Sequence, residues 1–443
     1  LVVNNEDQYA DIATEAGTLT ITQKDVTITA DSNSKEYDGT VLTDDGYTST
    51  KLAEGDSYKS VTVTGEQTLV GSSANVASEA VIMDGEENVT ANYAITYVNG
   101  KLEITASSKV LTVTANSNTW EYDSEYHADG GYTVTYGEES YTVAAGESAT
   151  LSTGDKVTAT ITAQVKNVAD TAEGNNVIVT LVVNNEDQYA DIATEAGTLT
   201  ITTRTVTMTS ANGEKEWDAR PLTNDKVTVS GDGFVEGEGA TYDVTGTQTN
   251  VGSSANSFTY TLKEGTKEGN YNITVVPGTL TVTNRTQKLT VAVKANSGEF
   301  VYDSEKKTVT GFTTPTVTDG AVPMADSDAL EFTYNDQTFT ITGLSASGTG
   351  KNVGKYTVAV TGEHKIWHGE VDVTEQFELT KENGLLEITV REITITADSN
   401  SKEYDGTVLT DDGWMDTEPE NVADGDEVKS VTVTGEQKLV GSS

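Results

Sequence analysis

Apolar and polar residues alternate along almost the whole chain. Runs such as Val26, Ile28, Ala30; Leu111, Val113, Ala115; Val206, Met208; Leu289, Val291, Val293; and Ile393, Ile395, Ala397 put every second residue on one face, with threonine filling most alternate positions. A period of two with β-branched polar partners marks a half-buried strand. Later runs, among them SVTVTG, TVTYG and YTVAVTG, repeat the pattern between DDG, GDG, NG and PG turn signals. No stretch of a dozen residues carries convincing apolar spacing at i, i+3, i+4 and i+7, so helices are not expected. The expected fold is all-β: a tandem array of small antiparallel β-sandwiches, immunoglobulin-like in architecture, with a β-grasp-like sheet as the alternative.

The strands fall into repeats. Residues 1–22, LVVNNEDQYADIATEAGTLTIT, recur unchanged at 181–202, and residues 30–46, ADSNSKEYDGTVLTDDG, recur unchanged at 397–413. An aromatic-Asp pair recurs at Tyr37-Asp38, Tyr122-Asp123, Trp217-Asp218, Tyr302-Asp303 and Tyr404-Asp405, at spacings of 85, 95, 85 and 102, so short and long units alternate. A second landmark closes each unit: an aromatic, seven or eight residues to a glycine (Gly100, Gly197, Gly278, Gly384), then an apolar-polar-apolar run ending in Thr. Together they delimit four complete repeats, 26–105 (short), 109–202 (long), 204–284 (short) and 287–389 (long). Residues 1–22 read as the closing tail of a preceding repeat and 392–443 as the first part of a following one, so the chain reads as a window cut from a longer array. Segment 1–22 of one copy is also of the kind that completes the sheet of 392–443 in a neighbour.

Between repeats lie only about three to five residues, and none of these linkers is rich in Gly and Ser or in Pro. Such junctions are not flexible tethers. At about 3.3 Å per strand residue, four repeats are expected to form a stiff rod on the order of 150 Å long.

Composition narrows the function. With 27 Lys and Arg against 70 Asp and Glu, the net charge is −43, which repels nucleic acid and anionic membrane surfaces. No cysteine and three histidines leave little for thiolate or imidazole chemistry, and an enzyme is not expected. The most apolar stretch, residues 177–183, is far short of the roughly 20 residues that span a bilayer, so no membrane insertion is expected in this segment. The charge, about ten per repeat, keeps strand edges of like sign apart and the array soluble.

KEYDG near the start of a repeat, VGSS or NVG in its middle and NYxITxxxGxLxIT at its end resemble the MBG and YDG-type repeat domains of large bacterial surface adhesins. The resemblance covers essentially the whole chain. It implies tandem all-β modules on secreted or wall-attached bacterial proteins, an extracellular or cell-surface location and an association with adhesion. The YDG glycine is replaced by Ser124, Ala219 and Ser304, and one tyrosine by Trp217.

Each aromatic of the recurring pair is expected to plug one end of a sandwich while its Asp caps a turn. No cofactor is expected; the acidic turns at Asp31, Asp38, Asp44 and Asp45, repeated at Asp398, Asp405, Asp411 and Asp412, are candidates for calcium only. His364 and His368 lie four apart in GEHKIWHGE, a spacing that suits metal on a helix rather than on a strand. Lys109, Lys288 and Lys294 are positions to inspect for isopeptide crosslinks. Two functions follow: a stalk or filament segment whose partners are neighbouring repeats, or an adhesive module for mucin or another host glycan, with Trp367, Tyr126 and Tyr132 as exposed aromatics to test.

Overall fold

The computed structural model describes residues 4, 8, 9, 11, 13–313, 315–317, 330–415 and 422–443. They form many short strands and a few single-turn 3-10 helices, with no α-helix among the described residues. Two compact units result: residues 1–206 with 232–239 and 264–273, and residues 207–231 with 240–263 and 274–443. The division passes through the third repeat instead of along a linker.

In the first unit, the opening strand Lys24–Ala30 runs parallel to Tyr93–Val98 and antiparallel to Tyr47–Ser49. The next strand, Asn33–Glu36, lies in the other sheet, parallel to Gly100–Thr105, which is antiparallel to Gly71–Asp84. Val26, Ile28 and Ala30 of one sheet pack on Ala77, Ala80 and Ile82 of the other, which makes each repeat a two-layer sandwich. The second repeat uses the same scheme: Leu111–Ala115 is parallel to Ile192–Glu195, and Asn118–Glu121 to Leu199–Thr202.

The second unit repeats it again. Gly213–Glu216 is parallel to Gly278–Thr283, Leu289–Lys294 to Phe377–Glu382, and Gly298–Val301 to Gly384–Thr389. The sheets are therefore mixed, because the first two strands of a repeat pair in parallel with its last two. Parallel neighbours need a long crossover, here the whole body of the repeat, which is why the closing motif comes last in sequence.

The invariant glycine of the closing motif stands where the chain passes from one sheet to the other. A Cβ on Gly100, Gly197, Gly278 or Gly384 would lie 2.2, 2.1, 2.4 or 2.0 Å from the carbonyl oxygen of Asp31, Asn116, Ser210 or Asn296, so no side chain fits. A buried asparagine supports the same corner: Asn75, Asn176 and Asn256 donate Nδ2 to the backbone oxygens of Asp31, Asn116 and Ala211 at 2.9, 2.8 and 2.9 Å.

Two segments depart from the strand pattern of their sequences. Residues 13–22 form no strand, and Leu19 and Ile21 are 100% and 99% exposed, whereas the identical Leu199 and Ile201 are 0% and 2% exposed. Ile393 and Ile395, expected in an opening strand, are likewise exposed, and isolated bridges, such as that from Ala397 to Trp414, take the place of a strand there. Period-two patterning confers a strand only where the parallel partner is present, because a lone strand leaves its amides and its apolar face in water.

Candidate functional site: the junction between repeats

The Asp of each recurring pair accepts a hydrogen bond from the backbone N–H two residues on: Thr40 to Asp38, Glu125 to Asp123, Arg220 to Asp218, Glu305 to Asp303 and Thr407 to Asp405, at 2.8–3.0 Å. Lysines add ion pairs, Lys35 to Asp38 at 2.8 Å and Lys215 to Asp218 at 2.6 Å, and Lys307 pairs with Asp303. Hydrogen bonds from Lys35 and Thr40 pull the Asp38 carboxyl down to about 2. The residue between donor and acceptor is left-handed in all five turns, at Gly39 (φ 80°), Ser124 (71°), Ala219 (65°), Ser304 (63°) and Gly406 (81°). The turn therefore keeps its backbone when the glycine is replaced, at a strain cost of about 1 kcal/mol.

At four of the five turns the preceding aromatic meets the following repeat, whereas Tyr404, expected to plug the end of a sandwich, is 64% exposed. In the first unit, Tyr37 donates its hydroxyl to Asp155 of the second repeat at 2.9 Å, and Tyr189, the closing aromatic of that repeat, donates to the same oxygen at 2.7 Å. The two rings meet edge to face at 6.0 Å. One junction later, Tyr122 and Tyr271 donate to the two oxygens of Glu238, both at 2.6 Å, with rings 5.5 Å apart. Burial, followed by the bond to the carboxylate, pushes Tyr37 and Tyr122 up to about 12, and burial raises Tyr189 and Tyr271 further. Leu102 and Ile104 of the first repeat belong to one apolar cluster with Leu111, Val113, Tyr132 and Val157 of the second.

In the second unit the arrangement is apolar. Trp217 is wholly buried in a cluster of fourth-repeat side chains: stacked on Tyr334 at 6.3 Å and edge to face with Phe339 at 5.9 Å and Phe377 at 5.7 Å. Its closing aromatic, Phe377, has no hydroxyl, and the Trp217 indole N–H is buried without a hydrogen-bond partner among the described residues. Tyrosine has given way to tryptophan where the polar clamp is absent and the pocket is filled by rings. At the following turn Tyr302 is held up in pKa by its hydrogen bond to Asp426, and Ser304 Oγ donates to the Asp424 carbonyl.

Two further residue types complete each junction. The amide residue preceding the closing aromatic is buried and accepts from the preceding segment: Gln188 from Val70 N–H, Asn270 from Val168 N–H at 3.0 Å, Gln376 from Arg285 N–H at 3.0 Å. The Glu preceding the turn aromatic holds the linker: Glu36 accepts from Ser108 at 2.8 Å, Glu121 pairs with Arg204 at 3.0 Å, and Glu216 accepts from the Thr286 hydroxyl. Both types recur in the sequence at the position before an aromatic landmark, which is the signal that locates them.

No family model matches the chain, and no curated protein matches it. Among solved structures, a SusE-like surface-located polysaccharide-binding protein from the Bacteroides thetaiotaomicron heparin utilisation locus is 9% identical, with 84% of this chain and 74% of that chain covered at a TM-score of 0.14. The N-terminal four immunoglobulin domains of Dscam1 isoform 7.44 are 9% identical over 73% and 80% of the two chains, at a TM-score of 0.11. Superpositions of this quality carry no functional argument.

The other candidate residues have local roles. Tyr132, expected to be exposed, is fully buried on the inward face of Tyr132–Tyr136 and donates to the Glu147 carbonyl at 2.7 Å; its strand alternates the other way because Val134 and Tyr136 share its face. Trp367 is half-buried, donating its indole N–H to Thr342 at 3.0 Å beneath the Lys365 ammonium. Tyr126 is exposed, with the Lys166 ammonium 5.0 Å from its ring. His368 contacts Gln337 at 3.2 Å and packs on Phe339. Lys109 lies over Tyr136, while Lys288 and Lys294 pair with Glu375 and Glu382 at 3.2 and 3.0 Å. Asp44 accepts from Gly46 N–H at 2.8 Å and from Asn33 at 3.0 Å. Among the described residues, no three metal-ligating side chains converge.

Proposed function

We propose that this chain is a stalk or filament segment of a large repetitive bacterial cell-surface protein, and that its function is reach and stiffness. The observation that carries the proposal is the junction: successive repeats share core side chains, and a buried aromatic from one repeat is anchored in the next. A hinge would instead show a solvated linker and separate cores. Each junction adds a buried amide side chain and a carboxylate bound to the linker, so bending there must break several hydrogen bonds together. The acidic surface opposes lateral association of neighbouring strands.

Extracellular location follows from the same proposal, and neighbouring repeats are the partners it requires. Adhesion to a host glycan is the competing reading, and the side chains weaken it locally. Tyr132 is in the core, and the ring face and indole N–H of Trp367 are already engaged. Electron microscopy of the 443-residue chain tests the stalk: straight particles of uniform length support it, and freely jointed ones overturn it. A glycan array probed with the same chain tests the competitor, for which consistent binding to one glycan class is required.

A further inference from the structure

One strand of the second repeat carries an open edge. Ile178–Val183 is the outermost strand of its sheet, antiparallel to Lys156–Ile161, and beyond that ladder no hydrogen bond reaches it among the described residues. Its counterparts in the first and fourth repeats are closed on that side. The Ile82 N–H donates to the Thr90 hydroxyl at 2.8 Å and its carbonyl accepts from Val89, while the Ala80 N–H donates to the Tyr97 hydroxyl at 2.9 Å. The Ile366 N–H donates to the Thr374 hydroxyl at 2.9 Å and its carbonyl accepts from Val373. A short returning strand, Glu87–Asn88 or Val371–Asp372, pairs just beyond each of these residues. In the second repeat Asn184 and Asn185 lead straight into the 3-10 turn Glu186–Gln188, and Glu186 stands three residues before the closing aromatic, where the other two repeats have threonine.

The open edge coincides with the most apolar run of the sequence. Val177, Val179 and Val182 are 49%, 57% and 58% exposed. Residues 175–185, NNVIVTLVVNN, hold no charged side chain and no proline, so the lysines and prolines that keep strand edges apart are absent here. A bulge is present and sets the faces. Thr160 lies opposite Thr180 and Ile161 opposite Ile178, which makes Val179 an extra residue. The alternation slips there: Ile178, Leu181 and Val183 pack toward the core, and Val179, Thr180 and Val182 face out.

We propose that Ile178–Val183 pairs antiparallel with the same edge of a second copy of this chain, joining two copies side by side through their second repeats. Charge and symmetry select that occupant. The run opens and closes on a pair of asparagines and is apolar between them, so its antiparallel duplex brings no carboxylate against another, although the chain as a whole carries −43. A charged peptide finds no opposite charge in it to recognise. The register follows from the faces: with the two-fold axis at Leu181, Leu181 lies opposite Leu181, Thr180 opposite Val182 and Ile178 opposite Val183, inward against inward and outward against outward. Main-chain hydrogen bonds then continue the sheet Ala149–Thr150, Lys156–Ile161, Ile178–Val183 into its copy. The same patch serves both partners, so the contact is isologous and stops at a dimer. Elsewhere the acidic surface opposes lateral association; here that opposition lapses.

A single edge-to-edge contact is small for a protein interface, so the dimer is expected to be weak and to fill at tens to hundreds of micromolar. Sedimentation equilibrium over that range is expected to show a monomer–dimer equilibrium that strengthens with added salt, because salt screens the repulsion between the two acidic chains. The Val179→Lys/Val182→Lys variant is expected to stay monomeric with an unchanged thermal midpoint, since both side chains already face water. The chain has no cysteine, so register is read by disulfide trapping: chains carrying only Thr180→Cys, mixed with chains carrying only Val182→Cys and oxidised, are expected to give a crosslinked species at about twice 46.9 kDa. Introducing Val179→Lys into the Thr180→Cys chain should reduce that species at least tenfold. A chain that stays monomeric at hundreds of micromolar overturns the proposal and leaves the edge to a strand of another protein. Association that survives the lysines, or that weakens with salt, also overturns it. The stalk reading is independent of these outcomes, because it rests on junctions inside the chain.

Discussion

Trp217 lies in the third repeat by sequence and in the core of the fourth by packing, so its substitution separates the two descriptions. An aromatic side chain buries about 150–250 Å², worth about 4–6 kcal/mol at 25 cal/mol per Å²; large-to-small aromatic substitutions in cores cost about 3–5 kcal/mol. Against this stands the indole Nε1, buried with no hydrogen-bond partner, a penalty of about 1–3 kcal/mol that any apolar replacement removes. The balance for Trp217→Ala is a loss of about 2–4 kcal/mol. Trp217→Phe keeps the six-membered ring against Phe339 and Phe377 and sheds the unpaired N–H, so it is expected within about 1 kcal/mol of the parent. Hydrogen exchange read by mass spectrometry locates the effect: Trp217→Ala should accelerate exchange in the strands Glu331–Tyr334 and Gln337–Thr342 of the fourth repeat. Two results refute the reasoning. One is equal damage from Phe and Ala, which would mean that the indole N–H matters; the other is exchange confined to strands of the third repeat.

Other consequences of the junction geometry are equally accessible. Tyr37→Phe removes one bond to Asp155, which keeps Tyr189 and Asn185 at 2.7 and 2.6 Å, so a loss of about 1 kcal/mol is expected by denaturant titration. Gly39→Ala places a Cβ 2.1 Å from the Thr153 carbonyl oxygen and should cost well over the ~1 kcal/mol of left-handed strain, whereas Ser124→Gly should gain up to about 1 kcal/mol; thermal unfolding midpoints compare them. Tyr37 and Tyr122 are raised from their ordinary value of 10.0 to about 12. A raised folded-state pKa gives stability that is complete below pH 10 and is lost as pH climbs through 12. Melting temperature should therefore fall across pH 10–12, and the Tyr37→Phe/Tyr122→Phe double variant should flatten that fall.

Much of the fold is legible in the sequence. The alternation at residues 26–30 and 111–115 identifies inward faces, and the closing glycines mark the repeat ends. What the pattern could not show is pairing partner. Leu19 and Leu199 sit in identical 22-residue sequences and differ in exposure from 100% to 0%, because burial depends on strands distant in sequence. The aromatic-Asp turn was legible as a turn, but the destination of its ring was not: Tyr37 and Asp155 are 118 residues apart, and a single sequence carries no information on contacts at that separation. Tyr132 was misplaced as a surface aromatic for a related reason, since its inward face is set by pairing with Ala115. Gln188, Asn270 and Gln376 are legible as an amide before each closing aromatic, but their position does not reveal that they are buried.

The central claim is that a junction between repeats is fixed, and pulsed electron spin resonance across one junction tests it most directly. Spin labels at Ser60→Cys in the first repeat and Thr142→Cys in the second, both exposed strand positions in a chain free of other cysteines, report the distribution of distances between the two. A single narrow distribution is expected, broadening when Tyr37→Ala removes the buried ring. A broad distribution in the unsubstituted chain, unchanged by Tyr37→Ala, would contradict the account.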